Sequence, residues 1–150
     1  MKGEFTEIIN KFPAWLDRLQ KSAALSRNQL HDIPDQGIYV FYDDKGLPLY
    51  VGRSDRMRKR LLMHGRPSAG HESATFAFML AREDMGNPGT KSRKELQVDK
   101  EFSKRYFVKK EEVSKMKVRV IEIIDPAEQA LFEIYAALEL QTPYNVWENH

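Results

Sequence analysis

A chain of 150 residues with 41% hydrophobic, 11% aromatic and 31% charged side chains describes one globular domain, and excludes a disordered tail, a collagen-like rod and a multi-domain assembly. With no cysteine, disulfides, thiolate metal sites and cysteine nucleophiles are excluded too. No apolar run approaches the ~20 residues of a membrane span, and Met1-Lys2-Gly3-Glu4 does not open an apolar signal segment, so a cytoplasmic protein without a membrane partner is expected. The net charge of +2 conceals a segregation: residues 53–66 carry +5, residues 86–116 carry +4, and the rest sums to −7. The first cluster reads as a polyanion-facing surface, whereas a solvated helix face is the default for the second.

In chain order, Phe5, Ile8, Ile9, Phe12, Trp15, Leu16 and Leu19 recur at helical spacing over residues 4–20, with Pro13 expected to kink or split the helix. A short helix runs from Ser26 toward Leu30. Residues 38–42 and 47–52 are β-branched or aromatic runs around Asp43-Asp44-Lys45-Gly46, which predicts a hairpin with a four-residue loop. Pairing Tyr42 with Leu47 sets Tyr39 directly opposite Tyr50 on one face. Ser54 is a plausible N-cap for a helix to His64, with Met57 and Leu61 on one face and Arg56, Arg60 and His64 on another. A further helix covers residues 73–83, with Phe76, Met79 and Leu80 toward the core. Residues 86–116 read as a basic insertion with partial structure and apolar spots at Phe102, Tyr106, Phe107 and Val108.

Residues 118–124 alternate as a third strand, and the final helix starts at the capping box of Asp125, Pro126 and Glu128. Its expected buried stripe is Ala127, Leu131, Ile134, Tyr135 and Leu138, and Thr142-Pro143 ends it ahead of Tyr144-Asn145.

Tyr39 and Tyr50 on the hairpin, Arg60 and His64 one turn apart, Glu133 on the last helix and Asn145 after it form a set suited to phosphodiester chemistry. A guanidinium binds the scissile phosphate and offsets growing charge. One carboxylate holds a hard divalent ion that keeps most of its waters, and a phenolate or imidazole takes a proton from such a water. Taken singly, each residue has a plainer explanation in packing, turns or solvated helix faces. Their ordered co-occurrence is what points to a site.

Gly37-Ile38-Tyr39, then Tyr50-Val51-Gly52, then Arg60, His64, Glu133 and Pro143-Tyr144-Asn145 resemble the GIY-YIG nuclease module over roughly residues 36–147. The resemblance implies an α/β (α+β) fold with a small three-stranded antiparallel sheet flanked by helices. N-terminal helices would occupy residues 1–35, the core residues 36–85 and 117–150, and the basic insertion residues 86–116. It also implies a metal-dependent endonuclease using Mg²⁺ or Mn²⁺, with nucleic acid as partner and DNA favoured over RNA. A weakly active or inactive nucleic-acid-binding module of the same fold is the alternative.

By the same resemblance Glu133 is the metal ligand, Arg60 the phosphate ligand, and Tyr39 and Tyr50 line the water site. Tyr39 is favoured as the base, and His64 assists proton transfer or orients a tyrosine. Arg53, Arg56, Arg60, His71 and Asn145 contribute to substrate binding or positioning. A phenol has an ordinary pKa of ~10, so a nearby cation must favour its charged form; Arg53, directly after Gly52, stands where it could do so.

Overall fold

Alternating β-branched and aromatic residues place β1 at Gly37–Tyr42, β2 at Pro48–Ser54 and β3 at Lys117–Glu122. The computed structural model describes residues 4–67, 74–86 and 91–147, and joins the strands into one antiparallel sheet in the order β2-β1-β3. The helices are α1 (Glu4–Ile9), α2 (Phe12–Lys21), α3 (Met57–His64), α4 (Thr75–Asp84), α5 (Arg93–Gln97), α6 (Lys100–Ser114) and α7 (Pro126–Leu140). The fold is therefore α+β, a small three-stranded antiparallel sheet flanked by helices, as the sequence led one to expect. No helix among the described residues is long and apolar enough to cross a membrane. The chain divides into two compact units, Met1–Arg58 with Lys117–His150, and Lys59–Met116.

In the first unit β1 is the central strand, and all six of its residues are buried. Successive side chains point to opposite faces. Ile38, Val40 and Tyr42 therefore join Val51, Ile121 and Ile123 on one face, where they pack on Phe12 and Leu19 of α2 and on Phe132, Ala136 and Ala137 of α7. The Phe12 ring meets Phe132 edge-on at 5.3 Å, and burying one such ring stabilises the fold by roughly 1.5–3 kcal/mol. Pro13 splits the N-terminal helix as expected: it falls in the first turn of α2, where a missing N–H is no loss.

The expected buried stripe of α7 is corrected in this unit. The buried residues of α7 are Gln129, Phe132, Ala136 and Ala137, while Ile134 and Leu138 are 42% and 61% exposed. The small side chains of Ala136 and Ala137 let the helix lie close to the sheet, and Gln129 Nε2 donates to the Ile123 carbonyl at 2.5 Å. Apolar periodicity registers neither effect. The N-cap itself holds, since the Asp125 carboxylate accepts from the Glu128 N–H at 2.9 Å; the Glu128 carboxylate meets Lys11 at 3.2 Å.

The second unit corrects the expectation of a partly structured insertion, because its basic segment folds as α5 and α6. The Ser92 hydroxyl caps α5 and the Asp99 carboxylate caps α6, accepting from the Phe102 N–H at 2.9 Å. Phe102 lies 5.2 Å from Phe78 of α4 and stacks on Tyr106 at 6.0 Å. Phe76, Ala77, Ala81, Leu96 and Val113 of the same unit are buried as well.

The β1–β3 pairing depends on Gly37. A Cβ at this position would collide with the backbone carbonyl of Ile121, which cannot turn aside as a side chain can. Gly37→Ala is expected to lower stability by at least about 2 kcal/mol. Leu138→Ala, on the exposed face of α7, is expected to change it by no more than about 0.5 kcal/mol. Urea denaturation of the two variants checks the contrast.

Candidate active site

The hairpin turn sets the geometry of Tyr39 and Tyr50. Gly46 adopts φ 81°, and the Asp43 carboxylate accepts from the N–H groups of Lys45 and Leu47, each at 2.9 Å. Asp43 N–H donates to the Leu47 carbonyl at 3.0 Å, so the bonded turn encloses three residues, 44–46, rather than the expected four. A bulge follows, with the register shifting between Phe41 and Tyr42. Tyr39 consequently pairs with Gly52, and Phe41 with Tyr50. The expected direct opposition of Tyr39 and Tyr50 is corrected to a diagonal one, although the two phenols keep a common face.

Tyr39 is 1% exposed, its ring laid over Gly52 and edge-on to Phe41 at 5.7 Å. A Cβ on Gly52 would fall inside that ring, which is why this position requires glycine. Tyr50 is only partly buried. Access to water therefore favours Tyr50 over Tyr39 as the phenol that can exchange a proton, the reverse of the sequence preference.

β2 is an edge strand, so one side of its backbone is open to further pairing. Asn145 closes it: Oδ1 accepts from the Val51 N–H and Nδ2 donates to the Val51 carbonyl, both at 2.8 Å. The Thr142 hydroxyl donates to the same Oδ1 at 2.7 Å, and Tyr144 N–H donates to the Leu49 carbonyl at 3.2 Å. The chain reaches this edge because Gln141 ends α7 in the left-handed conformation, φ 54°, reversing its direction. Asn145 thus grips the residue between Tyr50 and Gly52. Sequence reasoning missed Thr142 as its support, for which the only signal was the spacing of Thr142-Pro143-Tyr144-Asn145.

Arg53 alternates with Gly52 and so projects with Val51, away from the phenols. Its Nε lies 3.6 Å from Glu133 Oε1 on α7. The idea that Arg53 sits beside a phenol is corrected; it accompanies the carboxylate instead. Glu133 neighbours Gln129, Ala136 and Ala137 on the buried side of α7 and is half-buried. Burial pushes its pKa up, and Arg53 counters only part of that effect. A desolvated carboxylate with one cation at this distance retains acceptor capacity for a hard cation. Among the described residues no group of three or more His, Asp or Glu side chains is arranged to hold a metal ion.

The helix expected from Ser54 begins later. Ser54 ends β2, its Oγ accepts from the Arg56 N–H at 2.9 Å, and Met57 N–H, the first of α3, donates to the Asp35 carbonyl at 2.9 Å. Arg56 is exposed, and Arg60 is partly buried. His64 does not continue an exposed arginine stripe. It follows Met57 and Leu61 on the buried face and is itself 0% exposed. Burial first, and then the charge of Arg60, lower its pKa to about 3. Arg60 and His64 belong to the second unit, whereas Tyr39, Tyr50, Arg53, Arg56, Glu133 and Asn145 belong to the first. His71 lies outside the described residues.

None of these site residues lines the shallow groove of about 450 Å³ formed by Trp15, Glu122, Ile123, Ile124, Asp125, Pro126 and Glu128 in the first unit. Comparisons with protein-family models, curated proteins and solved structures each found no match.

Two outcomes follow from this geometry. Asn145→Ala leaves both Val51 groups at the strand edge without their partner and is expected to cost about 2 kcal/mol, read by thermal unfolding together with faster hydrogen exchange at the Val51 amide. His64 is neutral in the fold and binds a proton near pH 6.5 once unfolded, so below that pH the unfolded chain gains protons that the native chain does not. Stability is therefore expected to fall with acidification by about 1.4 kcal/mol per pH unit from this group. In denaturant titrations at pH 7 and pH 5 the wild type should lose about 2 kcal/mol more than His64→Gln.

Proposed function

We propose that the chain is a metal-dependent endonuclease that hydrolyses nucleic-acid phosphodiester bonds, with DNA as the favoured substrate. The observation that carries this reading is Glu133, a half-buried carboxylate 3.6 Å from Arg53, immediately downstream of the Tyr50-Val51-Gly52 segment. The order of motifs supports it: Gly37-Ile38-Tyr39, Tyr50-Val51-Gly52, Arg60, Glu133 and Asn145 resemble the GIY-YIG nuclease series.

Glu133 would hold Mg²⁺ or Mn²⁺ in this reading. The ion, when bound, supplies positive charge for a phosphate and acidifies a coordinated water. Arg53 keeps the carboxylate oriented, and its remaining N–H donors suit a phosphate oxygen. Tyr50, the more accessible of the two phenols, is the one that would take a proton from water at its phenol oxygen in this reading. Tyr39 serves by position: its ring, fixed on Gly52, holds the hairpin in register. Asn145 acts in the same sense, pinning Val51 and with it both Tyr50 and Arg53. Arg60 is assigned as a phosphate ligand from the motif alone. His64 is neutral at pH 7 and buried, so it takes a structural part rather than that of an acid.

The test is cleavage of labelled duplex DNA, single-stranded DNA and RNA in Mg²⁺, Mn²⁺ or EDTA. Metal-dependent cutting is expected, with a loss of about 10²-fold or more in Glu133→Gln and an unchanged thermal midpoint. Equal cutting by the variant would contradict the assignment. Salt-sensitive binding without any cutting would identify a nucleic-acid-binding module instead.

A further inference from the structure

The second unit sorts its charges in a way that its own stability does not require. Where α6 faces α4, the cations are matched internally: Arg105 pairs with Asp84 at 2.9 Å and with Glu101 at 3.0 Å, and Lys109 pairs with Glu112 at 3.1 Å. These contacts engage acidic groups that would otherwise neutralise the helix surface. The opposite side of α6 carries Lys100, Lys104, Phe107, Val108, Glu111 and Lys115, all exposed. They follow one another at three- and four-residue steps and so form one face. Glu111 stands four residues before Lys115 and offsets it, which leaves Lys100 and Lys104 as the excess charge beside Phe107.

Neither the lysines nor the phenylalanine is explained by folding. Lys100 is the first residue of α6, where the helix dipole favours an acid over a cation. Phe107 is 47% exposed, although the neighbouring Phe102 and Tyr106 complete the core. Cations beside a half-exposed aromatic ring on a rigid helix are the combination that holds unpaired nucleic-acid strands: lysines meet phosphates, and the ring stacks on a base without regard to sequence. A duplex has its bases already stacked and offers no such partner for Phe107.

We infer that the outward face of α6, centred on Lys100, Lys104 and Phe107, binds single-stranded nucleic acid. The inference deepens the nuclease reading by naming where the chain holds its substrate, and it rests on that reading for its biological sense. Binding to this face needs no metal.

The experiment is fluorescence anisotropy of the full chain with a labelled 20-nucleotide oligothymidine in EDTA, over a range of salt concentrations. The Lys100→Glu/Lys104→Glu variant is expected to bind at least tenfold more weakly, and its log–log salt slope should be shallower by about 1.4, the value for two lost single-strand phosphate contacts. Phe107→Ala should weaken binding about fivefold or more with the slope unchanged. Lys45→Glu, a charge reversal in the hairpin loop, should have no comparable effect. Circular dichroism melts confirm that each variant is folded.

Wild-type affinity in the double-lysine variant would overturn the inference, as would duplex binding without oligothymidine binding. The nuclease reading fails separately. Strand binding through this face with no cleavage under any metal removes the enzyme and keeps the surface, whereas Glu133-dependent cleavage with unaffected binding by the α6 variants does the reverse.

Discussion

The carboxamide of Asn145 closing on Val51 is the contact on which the first unit's arrangement depends. An edge strand presents N–H and C=O groups that must find water, another strand or a side chain. Here a single side chain answers both groups of one residue, at 2.8 Å each, from 94 positions further along the chain. That bond pair fixes the strand bearing Tyr50 and Arg53, and it anchors the tail that follows α7. The left-handed turn at Gln141 and the hydroxyl of Thr142 are what bring Asn145 there. On the other side of Val51, Gly52 receives the Tyr39 ring. Two consecutive residues of β2 are thus held, Val51 by an amide at the edge and Gly52 by a phenol on one face.

This packing also sets the electrostatics of the proposed site. Glu133 is raised in pKa because α7 carries it toward the sheet, and Arg53 reaches it from β2, so the charge pair is set by the same packing that makes the core. A carboxylate so placed is not an ordinary surface salt-bridge partner, which would contribute little. Its partial desolvation favours an added cation. The division of roles proposed for the tyrosines rests on burial: one ring is part of the hairpin's packing, the other has access to solvent.

Elements were legible in the sequence wherever one local rule decided them. Pro13 split the first helix, Asp125 capped the last, and the β-branched runs became β1, β2 and β3. What escaped depended on interactions with no local signature. Loop and bulge geometry moved the hairpin register, turning a direct Tyr39–Tyr50 opposition into a diagonal. Alanine-mediated close approach rotated α7 relative to its most apolar stripe. His64 is four residues from Arg60 and three from Leu61, so either face was open to it, and burial chose the second. The basic segment concealed two capped helices because its charges outnumbered the aromatics that pack them. For the site, the candidate residues came from the motif order, whereas the pairing of Arg53 with Glu133 and the grip of Asn145 on Val51 arise only in the folded chain, between segments far apart in sequence.

The central claim is that Glu133 holds a divalent ion, and the direct measurement is Mn²⁺ binding by the full chain, followed by electron paramagnetic resonance as the free aqua-ion signal is titrated away. The account predicts saturable uptake by the wild type at a site that Glu133→Gln abolishes while the variant's fold, read by circular dichroism, is retained. Undiminished Mn²⁺ uptake by the variant, or no uptake by the wild type, would contradict it.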